Sequence, residues 1–370
     1  MSETLLVASR KGLFTVRQGR EKRWSVARAQ FLGDHLSLVA ADPRSGWWYG
    51  AFEHGHFGPK LVRSQDQGET WVETGKPAFP EKPAGSKDLD PVRGTEVEWS
   101  VKRVWALEPG GSGQPGRLWL GTIPGGLFRS DDGGDSWSLV RGLWEHEGRK
   151  KWFGGGADLP GLHSVCVHPD DPRRVKVAVS CGGVWETRDD GNSWANIGAG
   201  MVARYMPPGQ QDDPGIQDPH LMVQCGSRPD TLWVQHHNGI FRSTDGAQHW
   251  TEIKEAGPST FGFAVAVHPR QPDTAWFIPA VKDEARYPRD GRLVVTRTRN
   301  GGQSFEVLTR GLPQVDAYDL VFRHGFAIDE SGDKLAFGST TGSLYVSSDG
   351  GDGWQCVSEH LPPIDSVHFA

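Results

Sequence analysis

Cysteine is scarce in this chain, four in 370 residues. That number argues against a disulfide scaffold and for a reduced compartment, the cytoplasm, where small apolar thiols commonly sit in cores. No apolar run approaches the length of a membrane helix, and Met1-Ser-Glu-Thr4 passes directly into a strand-like segment without a basic and apolar leader. A membrane span and export by that route are therefore not expected. Positive charge is in short supply as well: 40 Lys and Arg against 46 Asp and Glu give a net charge of −6. A nucleic-acid surface needs a concentrated basic excess, so nucleic acid is excluded as a partner. The one tight basic run, Arg149-Lys-Lys151, reads as a solvated loop.

Glycine (49), proline (25) and tryptophan (16) are abundant instead. Turns and large packing side chains dominate such a composition. Six near-copies of one octapeptide organise it: Ser64-Gln-Asp66-Gln-Gly68-Glu-Thr-Trp71, Ser130-Asp-Asp132-Gly-Gly134-Asp-Ser-Trp137, Thr187-Arg-Asp189-Asp-Gly191-Asn-Ser-Trp194, Ser243-Thr-Asp245-Gly-Ala247-Gln-His-Trp250, Thr298-Arg-Asn300-Gly-Gly302-Gln-Ser-Phe305 and Ser347-Ser-Asp349-Gly-Gly351-Asp-Gly-Trp354. In the pattern Ser/Thr-x-Asp-x-Gly-x-x-Trp the hydroxyl and carboxylate bond back to local backbone, glycine takes a positive φ, and the aromatic packs as the next strand begins. The copies start 66, 57, 56, 55 and 49 residues apart, the signature of an array of one supersecondary unit.

These octapeptides resemble Asp boxes, the hairpin turns of the BNR repeats found in sialidases, xyloglucanases, sortilin-type receptors and photosystem II assembly factors. The resemblance covers nearly the whole chain and implies an all-β fold, a seven-bladed β-propeller of four-stranded antiparallel blades forming a single domain over residues 1–370. Strand-like runs agree with it: Ser164–Val167, Lys176–Ser180 and Val184–Thr187 precede one box, and Phe263–Val267 leads another unit. The first unit has Leu5–Ser9, Gly12–Val16 and Trp24–Ala27 but no leading strand. Ser366–Phe369 resembles the missing run and follows the last complete unit. The C-terminal strand is therefore expected to join the first blade and close the ring, removing an open sheet edge. A closed ring without edge strands is expected to be a monomer.

In this blade order the boxes lie on one face, and the long connections 73–98, 141–162, 197–219, 255–261 and 279–290 emerge on the other. Long connections rich in Trp, Phe, Tyr and His point to a functional face. Aligning the inner strands on their ends brings His163, His220 and His324 to one level, with Arg103, Ser37 and Phe263; Asp365 and His35 fall close by. Glu53-His54-Gly-His56 and Gln235-His236-His237-Asn238 end neighbouring strands, so at least seven of the 14 histidines are expected near one mouth. Clustered imidazoles from different blades suit a divalent transition metal (Zn, Mn, Cu, Fe or Ni), with His163, His220, His324 and His35 as ligands. A lone histidine more commonly bonds neighbouring backbone, and no His-Glu-x-x-His signature is present.

Carboxylates give a rival chemistry, since glycoside hydrolysis uses a pair. Asp158, Glu284 and Asp319 are the catalytic candidates, with Asp283, Glu98 and Glu53 nearby in the same connections. Arg103, Arg323, Lys282, Tyr205, His236 and His237 are the candidate substrate contacts; Trp99, Trp144, Trp152, Phe153 and Tyr318 are rings able to stack on a sugar. The sialidase resemblance stops at the chemistry. The Phe/Tyr-Arg-Ile/Leu-Pro tetrapeptide of that family is absent, and no three arginines stand out as its carboxylate clamp. Three readings follow. The favoured one is a hydrolase or lyase in which a His-bound metal or a carboxylate pair acts on a small polar or sugar-like substrate at an axial His-rich pocket. The others are a metal-independent glycosidase of sialidase or xyloglucanase type, and a non-catalytic protein-binding scaffold like the assembly factors.

Overall fold

The computed structural model describes residues 2–55, 58–155 and 157–370. Seven four-stranded antiparallel sheets account for nearly all of its regular structure, so the fold is a seven-bladed β-propeller. Blades two to seven each use four consecutive strands. The first is completed by the last strand of the chain, Ile364–Phe369, beside Thr4–Ser9, with Val367 opposite Val7 and Phe369 opposite Leu5. Ala370 N–H donates to the Thr4 carbonyl at 3.0 Å and extends that register to the C-terminus. No described helix is long and apolar enough to cross a membrane.

Two compact units divide the chain: Met1–Ala41 with Val223–Gly246 and Thr251–Ala370, and Asp42–Met222 with Ala247–Trp250. In the first, Trp276, Leu335, Phe337, Tyr345 and Trp354 form one core between blades six and seven. Leu5, Val7, Trp24, Leu344 and Val367 form another, between blades seven and one. In the second, Trp119, Val165, Val177, Trp185 and Trp194 pack blade three on blade four. The alternation of apolar residues along each strand puts them on the blade surface that faces its neighbour, and a large ring from each blade fills the gap.

The repeated octapeptides are tight turns between the third and fourth strands of a blade. Ser130 Oγ donates to Asp132 Oδ1 at 2.7 Å and accepts from Gly134 N–H at 2.9 Å; Asp132 in turn accepts from Ser136 N–H and Oγ at 2.9 and 2.6 Å. Lost hydration pushes the Asp132 carboxyl up, but these bonds together outweigh it and hold the pKa down at about 2. Gly134 has φ 95° and Gly191 φ 90°, in the left-handed region glycine enters without cost. In the fourth copy Ala247 occupies that position at φ 72°.

Blades are also joined by buried polar side chains. Arg44, in the turn after the first strand of blade two, donates to Asp42 and to the carbonyls of Gly110, Gly111, Gln114 and Arg117 in blade three, at 2.7 to 3.0 Å. One guanidinium thus satisfies a whole turn of the next blade. In blade four Lys176 and Glu186 face one another on adjacent strands, Nζ to Oε1 3.4 Å, both nearly inaccessible. Glu186 also takes Arg174 at 3.2 Å and Arg188 at 2.8 Å.

The long connections run 74–102, 140–161, 197–218, 254–261 and 280–294, as expected within a few residues. A sixth, 309–325, was not anticipated. It arises because the inner strand of blade seven is only Phe326–Ile328, the residues before it turning as Arg323–Gly325 in a single 3-10 turn.

Candidate functional site

His220 lies in the inner strand Pro219–Gln224 of blade five and is 2% exposed. Two residues earlier in extended chain, on the same side, Asp218 is 5% exposed. One carboxylate oxygen, Oδ1, accepts from Ser180 Oγ at 2.9 Å and from the Cys181 N–H at 3.1 Å. The other, Oδ2, faces His220 Nε2 at 3.5 Å. The donors come from the turn between the second and third strands of blade four, where Cys181 has φ 50°. Gly155 lies against that turn: a Cβ there would fall 2.6 Å from Cys181 Sγ and 3.8 Å from Asp218 Oδ2. A Cβ would collide with that thiol, so a bare backbone lets the loop pass against the turn that holds the carboxylate.

His163, fully buried in the inner strand of blade four, has Nδ1 2.9 Å from Ser164 Oγ and Nε2 2.7 Å from the Pro219 carbonyl. Both nitrogens serve the protein, the second holding the backbone next to His220. Tyr205 donates its hydroxyl to the Ile216 carbonyl at 2.8 Å; burial, then the Asp218 charge, raises its pKa. Arg103 donates Nε to Glu53 Oε2 at 2.6 Å, a half-buried pair. Asp158 is exposed, and its backbone carbonyl accepts from Arg93 at 3.3 Å.

The remaining candidates belong to the other unit. His35 Nε2 lies 2.9 Å from Asp365 Oδ2. His236 is buried, accepts the Asn238 N–H on Nδ1 at 3.0 Å and meets Phe241 edge-on. His237 Nε2 is 3.9 Å from Asp283 Oδ2. Arg323 stands over the Phe263 ring at 5.6 Å, and His324 follows it in the 3-10 turn. Lys282 and Glu284 are exposed and pair at 3.4 Å; Glu284's own backbone N–H, then Lys282, hold its carboxyl below the usual range. Asp319 accepts from Ser339 Oγ at 2.7 Å and Thr341 Oγ1 at 2.5 Å, bracing a turn of blade seven. His56 lies outside the described residues.

The structure thus brings Asp218, His220 and His163 together within one unit; Asp158 belongs to that unit, Glu284 and Asp319 to the other. Glu284 is an exposed, lowered-pKa carboxylate, the reverse of what a glycosidase acid requires. Asp218 was missed. Its signal was present, an acidic residue at the i−2 position of a strand histidine, where period-two geometry puts both on one side.

No family model matches the chain. Among curated proteins, the oligoxyloglucan-reducing end-specific xyloglucanase of Emericella nidulans is 26% identical over 253 residues, 67% of this chain. The chain spans about a quarter of that enzyme's length, 26%. Among solved structures, an ancestral GH74 enzyme is similar with a TM-score of 0.57 and 19% identity, over 84% of this chain and 36% of its own. YCF48 from Cyanidioschyzon merolae gives 0.54 and 15%, over 87% and 86%. A functionally unknown protein from Desulfotomaculum acetoxidans gives 0.56 and 11%, over 98% of both chains. These are likenesses of fold alone.

Proposed function

We propose that this protein is a hydrolase or lyase acting on a sugar-like substrate, with His220 and Asp218 at its reaction centre. The observation that carries the reading is the 3.5 Å separation of His220 Nε2 and Asp218 Oδ2, two nearly inaccessible groups. A charge-assisted hydrogen bond would close to about 2.9 Å. A tetrahedral ion with bonds of about 2.0–2.1 Å would hold two ligand atoms about 3.4 Å apart. The spacing therefore fits one edge of a divalent metal site, to which this pair supplies two ligands. Imidazole nitrogen with carboxylate oxygen suits Zn, Mn or Fe.

Around that pair the chain provides what such a centre needs. Ser180 Oγ and the Cys181 N–H fix the carboxylate's other oxygen, and His163 fixes the strand through the Pro219 carbonyl. Orientation of this kind by outer groups tunes a metal ligand. A bound divalent ion would lower the pKa of a water or polarise a substrate oxygen. The sugar-like substrate is supported by the xyloglucanase relative, whose name specifies an oligosaccharide reducing end.

Metal content of untagged protein and turnover on neutral oligosaccharides test the reading together. Asp218→Asn or His220→Ala should lower metal occupancy and reduce turnover by about 10²–10⁴-fold while the melting temperature holds. Full metal content and full turnover in folded His220→Ala would sink the proposal. A wild type without turnover would leave the protein-binding scaffold as the working reading.

A further inference from the structure

The connection 74–102 of blade two contains a groove that none of the catalytic reasoning uses. Its floor is two anchored rings. Trp99 donates Nε1 to Asp88 Oδ2 at 2.9 Å and meets buried Trp144 edge-on with centroids 5.4 Å apart. Phe79 sits on the other side of the same indole at 4.5 Å and against Phe128 at 5.2 Å. Arg149 completes the support, 4.1 Å over Trp144 and 2.9 Å from Asp88. Both floor rings are half-buried, so each keeps a solvent-facing part while its orientation is locked.

The rim is polar and of mixed sign. Glu81, Lys82, Glu96, Glu98 and Ser100 line an open depression of about 530 Å³ with the two rings. Lys82 pairs with Glu96 at 2.6 Å and Lys102 with Glu98 at 2.5 Å, so with Glu81 the rim mixes donors and acceptors and carries one carboxylate in excess. Locked aromatic floors favour the flat C–H face of a pyranose, and alternating Glu and Lys termini suit hydroxyls that both donate and accept. Carboxylates on the rim repel sugar acids and phosphates.

We propose that this groove is a binding site for a neutral oligosaccharide, separate from His220. It adjoins the reaction centre through the backbone: Asp90 accepts the Gly154 N–H at 2.9 Å, Arg93 donates to the Gly154 carbonyl at 2.6 Å, and Gly155 covers Asp218. A chain seated at Trp99 would thus bear on the loop over that carboxylate. This inference rests on the sugar-directed reading above, and its test does not depend on turnover.

Titration calorimetry and tryptophan fluorescence on the full chain would use xyloglucan oligosaccharides as the neutral probe, with an oligogalacturonate and a lysine-rich peptide as charged comparators. Wild type and His220→Ala should bind the neutral probe alike, while Trp99→Ala should weaken it at least about tenfold. Glu96 and Glu98 are 62% and 69% exposed, so E96Q and E98Q leave the fold intact; each should weaken binding severalfold with an unchanged melting temperature. Undiminished binding in all three groove variants overturns the site, as does absence of neutral-probe binding at millimolar concentration. Preference for the acid or the peptide would overturn the assigned ligand class. Absence of turnover in the wild type, with binding retained, counts against the His220 chemistry and leaves the groove standing.

Discussion

His35 Nε2 lies 2.9 Å from Asp365 Oδ2, linking the segment that enters blade two to the strand that closes blade one. That contact sits at the start of a six-residue strand whose Val367 is buried and whose Phe369 packs beside Trp24. Removal of Asp365–Ala370 would strip the inner edge of Thr4–Ser9 of its partners on that side except Ile364, opposite Ser9. The truncated protein should lose at least about 3 kcal/mol, one buried aliphatic side chain plus the ladder bonds, or fail to accumulate. Calorimetric melting checks it, and a wild-type transition in the truncated chain would contradict the closure argument. His35→Gln should cost far less, since it removes one contact and leaves the register.

The same closing strand predicts an acid dependence. Loss of hydration on packing, opposed by a bond to the Ala41 carbonyl, holds the His368 pKa down to about 4. An unfolded histidine takes its proton near 6.5, so between those values the unfolded state binds more protons and stability falls as pH drops. Urea unfolding at pH 7 and pH 4.5 should show wild type losing more stability than His368→Gln. Parallel losses in both would remove His368 from the account.

Blade architecture was legible because it repeats. The octapeptides marked six turns by their period and local chemistry, and the spare strand Ser366–Phe369 marked the closure once the propeller resemblance supplied a four-stranded blade to complete. The seventh inner strand was not legible in full, because Val321–Phe322 and Phe326–Ile328 read as one strand-like run while the backbone turns at Arg323–Gly325 between them. The site was harder still. Inner-strand alignment located His163 and His220, yet could not tell that Pro219's carbonyl would take the first ring's nitrogen. Asp319 looked like a free carboxylate in sequence because Ser339 and Thr341, which donate to it, stand twenty and more positions away.

Glu186 tests how buried charge is tolerated. Its carboxyl is lowered by Arg188, Lys176 and Arg174 against the opposing effect of burial, while burial lowers Lys176. Glu186→Ala would leave Lys176 in the blade interior without its counter-charge, a change worth about 3–5 kcal/mol. The double variant Glu186→Leu with Lys176→Met should recover much of that loss. Chemical denaturation of the three proteins decides it, and an additive double variant would deny the coupling.

Ala247 offers the opposite sign. An L-residue at φ 72° carries about 1–2 kcal/mol of steric cost that glycine lacks, partly offset by glycine's greater chain entropy. Ala247→Gly should therefore stabilise by about 0.5–1 kcal/mol. In contrast Asp132→Ala, which cuts the turn bonds to Ser130 and Ser136, should destabilise by about 1 kcal/mol. Neither should alter ligand binding or turnover, and a folded Asp132→Ala without activity would place the turns in the functional machinery.

The last prediction separates two histidines that sequence alone treats alike. His163 spends both nitrogens on Ser164 and on the Pro219 carbonyl, whereas His220 faces a carboxylate at a distance suited to shared coordination. His220→Ala should abolish metal uptake outright. His163→Ala should act indirectly, leaving the Pro219 carbonyl buried without its donor. That costs about 1–3 kcal/mol in stability and loosens the strand that carries His220, so metal affinity falls about 10–100-fold without vanishing. His163→Asn, which can still donate to that carbonyl, should restore most of the affinity. The double replacement should match His220→Ala in metal content and His163→Ala in melting temperature. Equal and complete loss of metal in both single variants, with no rescue by asparagine, would make His163 a ligand and overturn this division of roles.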